Sequence, residues 1–141
     1  MPYELFYTRF PELAEKETRC LNLPADNKYG LPPCQYAFME MFCNEPDCDC
    51  SRVFFSVAMD ESPEIAATIF WGWKSKEFYR KWLGTSEINI EEELIGPGLD
   101  LFNTQSVFSE KILQAFMDLP FKDQSYLSRV KKHYDLFRKS V

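Results

Sequence analysis

Residues 43 to 50 read CNEPDCDC, three thiols in eight residues, set between the apolar runs CQYAFMEMF and SRVFFSVAM. Thiolates held that close repel one another, and each loses hydration on burial. A shared divalent cation relieves both costs, and zinc, which takes sulfur and nitrogen ligands tetrahedrally, suits a turn that brings several side chains to one point. Asn44, Glu45, Pro46 and Asp47 are turn-forming residue types, as the tip of a hairpin needs. The spacing is C-x4-C-x-C rather than a doubled C-x2-C. Ligands two apart are expected to need a bent backbone between them to meet at one ion, so Asp49 is expected in a turn or bulge. Cysteines clustered without a metal, as a reactive thiol pair or a regulatory disulfide, are the alternative.

The flanks read as strands. Ala37, Met39 and Met41 alternate with Tyr36, Phe38, Glu40 and Phe42, and Val53, Phe55, Val57 and Met59 alternate with Arg52, Phe54, Ser56 and Ala58. Two such runs around a short turn predict an antiparallel hairpin. A register with Phe42 opposite Cys50 sets Phe38 against Phe54, Met39 against Val53 and Glu40 against Arg52, predicting a cross-strand ion pair for the last two. The stretch DESPE then turns the chain, and IAATIFWGW predicts a third strand with Ile65, Ala67, Ile69, Trp71 and Trp73 on one side.

Helical signals follow. Ser75 is placed to cap a helix carrying Phe78 and Trp82 on one face and ending at Gly84. EINIEEEL reads as a second helix stopped by IGPG. Thr104 or Ser106 can cap a third, with Phe108, Ile112, Leu113 and Phe116 at helical spacing up to Pro120. Asp123 can cap the last, whose inner stripe is Tyr126, Leu127, Val130, His133, Tyr134 and Phe137. Before the cysteines, FPELAEKE suggests a short helix, ETRCLNL a strand and PADNKYGLPP a loop. The predicted fold is α+β: a small antiparallel meander of about three strands followed by several helices, one domain over residues 1–141, with a structural metal site at a hairpin tip.

A closed zinc site needs a fourth ligand, and Cys20, Cys34 and His133 are the candidates. A continuous strand from 34 to 43 would put Cys34 about 30 Å from Cys43 at ~3.3 Å per residue, out of reach of a shared ion. His133, the only histidine, falls on an inward helical stripe where an imidazole needs a polar partner. It is preferred to Cys20, giving Cys43, Cys48, Cys50 and His133 as the predicted ligands, with the ion tying the last helix to the hairpin.

The stretch YAFMEMFCNEPDCDCSRVFF resembles an element of uncharacterised bacterial proteins in which an aromatic strand with Glu precedes C-x4-C-D-C and Arg-Val. It covers about twenty residues. The resemblance implies a metal-binding hairpin and no particular activity; Cys20 and Cys34 lie outside it.

Composition narrows the function classes. Aromatic residues make up 16% of the 141, which argues for a folded core. The net charge of -6 gives no general attraction for nucleic acid or anionic lipid, although Arg129, Lys131, Lys132, Arg138 and Lys139 cluster near the end. The opening MPYELFYTRF lacks the pattern of a signal peptide, and no apolar run is long enough to span a membrane. A cytoplasmic setting is therefore expected, and in that reducing compartment five cysteines, an odd number, are not expected to form a disulfide framework. Phosphate-cradling and deaminase motifs are absent, as is H-E-x-x-H. Trp71, Trp73, Tyr79 and Trp82 form either a stacking surface or, more simply, core. The leading expectation is a non-enzymatic zinc-binding or scaffold module with a protein partner. Its alternatives are a zinc- or thiol-dependent enzyme or redox-responsive protein using Cys48 and Cys50, with Glu40 or Asp49 as base, and a nucleic-acid-binding accessory protein.

Overall fold

The computed structural model describes residues 2–60, 62–85 and 87–141, so the turn expected at 60–64 and the start of the N-terminal segment lie partly outside the described residues. The expected meander is present as β3 (Gln35–Cys43), β4 (Arg52–Met59) and β5 (Ile65–Gly72). It is the centre of a larger, six-stranded antiparallel sheet, not the whole of a three-stranded one. The addition on the far side is β6 (Gly98–Leu99), paired with β5.

Two short strands share the free edge of β3. β1 (Tyr3–Leu5) pairs with Met41 to Cys43, and β2 (Arg19–Asn22) pairs with Gln35 to Phe38. Between them the chain forms two helices, α1 (Phe6–Arg9) and α2 (Pro11–Glu17), the latter with proline in its first turn where a missing N–H does no harm. Met39 and Glu40 are therefore flanked by strands but paired with neither on this edge.

The β3–β4 register corrects the expected one. Glu40 lies opposite Phe55, Phe38 opposite Val57 and Met41 opposite Phe54. The slip is three residues, an odd number, so it exchanges the faces of β4 relative to β3. Val53, Phe55 and Val57 thereby join Tyr36, Phe38 and Phe42 in the core, together with Ala67, Ile69 and Trp71 of β5. The Glu40–Arg52 pair does not form. Arg52 instead donates to the carbonyls of Leu94 (3.2 Å) and Glu93 (3.4 Å) and lies over the rings of Phe54 and Phe70 on the opposite face.

The helices cover the core face. α4 (Ser109–Asp118) brings Phe116 against Phe38 and Phe55, and α5 (Gln124–Lys139) brings Tyr134 and Phe137 against Phe42. Asp123 caps α5 by accepting the Tyr126 N–H, and the whole predicted inner stripe of that helix is buried. α3 (Lys76–Leu83) is capped by Ser75 and stopped by Gly84 in the left-handed conformation. EINIEEEL yields one wide π-type turn, Glu91–Ile95. Neither Thr104 nor Ser106 caps α4; both tie the preceding loop to β5, Thr104 accepting from Thr68 and Ser106 donating to Ala66. Among the described residues, no helix is long and apolar enough to cross a membrane.

Candidate metal centre

Cys43 ends β3, and the eight residues between β3 and β4 carry Cys48 and Cys50 around a loop with two left-handed positions, Asp47 (φ 63°) and Ser51 (φ 52°). These flank the expected bend at Asp49. A non-glycine residue in this conformation is disfavoured by about 1–2 kcal/mol, so something must hold it. At Ser51 three contacts do. Its N–H donates to the Tyr134 hydroxyl of α5 (3.0 Å), its carbonyl accepts the N–H of Trp73 (3.3 Å), and the Tyr79 hydroxyl of α3 lies 3.0 Å from the carbonyls of both Cys50 and Ser51. On the other side of the loop, Arg138 of α5 donates to the carbonyls of Cys43 (2.6 Å) and Glu45 (2.8 Å).

This arrangement brings the three thiols together. One sulfur from each of Cys43, Cys48 and Cys50 lies within 4.8 Å of the others, so the group can hold a metal ion. Cys43 and Cys50 are buried and Cys48 half-buried. Burial pushes the Cys43 thiol up to about 12, a backbone hydrogen bond from Glu45 opposing it and the other two sulfurs adding to it. Cys50 is raised by burial and then by the charge of Cys48, with hydrogen bonds from the Tyr3 hydroxyl and the Arg52 backbone opposing. Without a cation Cys43 and Cys50 are held as thiols. The Tyr3 hydroxyl, 3.8 Å from the Cys50 sulfur, is itself raised by burial and by that neighbour.

The other predicted ligand lies elsewhere. His133 is buried in α5, as its place in the stripe predicts, but it does not join the cysteines. Its Nδ1 is 2.7 Å from Glu40 and its Nε2 2.7 Å from Glu17, so both ring nitrogens are occupied by carboxylates. Phe6 stacks on the ring at 4.4 Å. Burial alone would lower its pKa from the ordinary 6.5, but the bonds and charges of Glu40 and then Glu17 outweigh burial and raise it. Glu40, expected either to pair with Arg52 or to serve a zinc as base, is the partner of this imidazole. Cys20 pairs with Ala37 in β2, and Cys34 precedes β3; neither joins the group. Tyr134, Arg138 and the His133–Glu40 bond tie α5 to the hairpin.

The aromatic and basic clusters have structural uses. Tyr79 and Trp71 are buried, and Trp73 packs on Trp71 and Tyr134. Of the basic residues in α5, Arg129 lies over Tyr126, Lys131 over Trp71, and Arg138 on the loop carbonyls. Three residues were not expected beside the thiols: Tyr3, Tyr79, read as stacking surface or core, and Tyr134, read as part of the inner stripe. Tyr134 carried a signal, because a buried tyrosine hydroxyl must find a partner and this one sits on an inward stripe. Comparison with protein-family models, curated proteins and solved structures finds no match to this chain.

Proposed function

We propose that this chain is a zinc-binding, non-enzymatic module in which Cys43, Cys48 and Cys50 ligate the ion and lock the β3–β4 loop. The observation that carries this reading is the mutual approach of three sulfurs within 4.8 Å on a loop braced from two helices. Tetrahedral zinc with Zn–S near 2.3 Å needs sulfur separations of about 3.8 Å, so only a small closure is required. Binding would take the three thiols as thiolates and release their protons. Sulfur donors also weaken the ion as a Lewis acid, which favours holding the loop over activating water. Three thiolates fill three corners of the tetrahedron, leaving the fourth to water or a donor from a partner. For a binding module, Leu101, Phe102 and Val107 offer exposed apolar side chains to a protein partner.

Elemental analysis of protein purified under reducing conditions tests the proposal. About one zinc per chain is expected, with three of the five thiols shielded until chelator is added. Metal-free protein whose five thiols react at once, and whose thermal stability ignores zinc and chelator alike, would overturn it.

The second reading, a thiol-based redox response, is favoured by one feature: Cys48 is the most exposed member of the group, beside two buried sulfurs. An oxidant would join Cys48 to Cys50 or Cys43 with loss of two hydrogens. Mass measurement after mild peroxide treatment separates the readings, since a zinc-filled site resists this change until the metal is withdrawn.

A further inference from the structure

The split edge of β3 leaves a cavity of about 370 Å3 between β1 and β2, roofed by α1 and α2. Its walls are mostly apolar, from Leu5, Phe6, Ala14, Ala37 and Met39. An enclosed site of roughly 150 Å3 is enough for benzene, so this space suits a body of two fused rings. The charged residues that line it are Glu15 and Glu40; no lysine or arginine does.

Glu40 is 4% exposed and gives Oε1 to His133, while among the described residues its Oε2 has no protein donor. Its ion-pair partner, His133, is shared with Glu17. Two carboxylates on one imidazole carry an excess negative charge when all three are ionised. Arg129 stands close enough to offset part of the Glu40 charge but does not line the cavity, where the charged groups are Glu15 and Glu40 alone. A buried charge left uncompensated is strongly unfavourable, and a charge-assisted hydrogen bond to a cation relieves it.

We propose that this cavity is a binding site for a small amphiphilic amine, whose ammonium group donates to Glu40 Oε2 while its apolar body fills the space between β1, β2 and α2. The site is separate from the cysteine loop and does not depend on its metal. A neutral isostere gains the apolar contacts without the ion pair, and a carboxylate analogue meets Glu15 and Glu40 as like charges.

Three indole probes test this by calorimetry and by amide shifts in ¹⁵N spectra: tryptamine, tryptophol and indole-3-propionate. Tryptamine is expected to bind with Kd below about 1 mM, tryptophol at least roughly tenfold more weakly and the acid undetectably, with shifts centred on residues 37–40. Glu40→Gln should remove most of the preference for tryptamine over tryptophol. Because that change also strips His133 of a partner, Ala37→Leu provides an independent variant that fills the cavity and leaves the carboxylates alone; it should abolish binding of both probes. The proposal is overturned if folded protein shows no tryptamine binding at about 10 mM, if the acid binds as well as the amine, or if Ala37→Leu leaves tryptamine affinity unchanged.

Discussion

The loop between β3 and β4 depends on single hydroxyl groups. Tyr134 gives the Ser51 N–H its acceptor in a buried setting, and Tyr134→Phe would leave that donor unsatisfied. Such a change is expected to destabilise by about 1–3 kcal/mol in denaturant unfolding and, on the proposed reading, to weaken zinc binding, because Ser51 follows the proposed ligand Cys50 directly. Unchanged stability together with unchanged zinc affinity would show that the left-handed turn holds without help from α5. His133 yields a prediction of a different kind. Its raised pKa means a contribution to stability that is complete below 6.5 and lost as pH climbs through the folded value. Glu40, raised above 4.5 by burial against the opposing bond and charge of His133, acts in the same direction, since the fold favours its protonated form. Urea unfolding should therefore give a lower free energy at about pH 8 than at about pH 6, with a shallower slope in His133→Gln. Parallel slopes for the two proteins would mean that the imidazole has the same proton affinity folded and unfolded.

At the scale of elements, the sequence revealed most where one face was clearly polar or a cap was clearly present. α3 has Ser75 and Gly84 at its ends, and α5 has Asp123 and an unbroken inner stripe; both formed where the residues indicated. The β3–β4 register was not legible, and the reason is physical. Both faces of both strands are largely apolar, so alternation favours neither pairing, and the single polar pair that was to decide it, Glu40 with Arg52, is drawn off in two directions by His133 and by the π-type turn. The three cysteines were legible because spacing alone keeps them close; a fourth ligand from a distant helix was not, because inward placement does not say which inward neighbour a ring will meet. β1 gave no signal, being three residues long. Gly72, at the end of β5, shows what such packing demands. A Cβ there would lie 2.5 Å from both the Leu94 carbonyl oxygen and the Tyr79 hydroxyl oxygen. Gly72→Ala should push Tyr79 off the Cys50 and Ser51 carbonyls, destabilise by about 1–3 kcal/mol and speed zinc release to a chromogenic chelator. Gly84→Ala is the matched control: with nothing within 4 Å of its Cβ, it strains the cap of α3 and should leave zinc release alone.

For the molecule as a whole, the cysteine loop sits at one end of the sheet; Cys43 and Cys50 belong to the main core, but its aromatic groups are assembled from other contacts. Phe38, Phe55 and Phe116 meet near the middle of that core, Phe42, Tyr134 and Phe137 nearer the loop, and neither group includes one of the three cysteines. A zinc ion bound as proposed would differ from one in a small finger, where the ion stands in for a core and its removal unfolds the chain. Chelation should accordingly lower the thermal midpoint by several degrees without abolishing the cooperative transition, since about 1 kcal/mol corresponds to roughly 2–4 °C in a domain near this size. Hydrogen exchange gives the sharper test. Removing the metal should raise exchange at 44–52, with a smaller rise in the last turn of α5 where Arg138 holds the Cys43 and Glu45 carbonyls, and leave the amides of β4 and β5 beyond Phe55 protected. Exchange that rose equally across the whole sheet would mean that the loop and the core unfold as one unit, making the metal a condition of the fold itself.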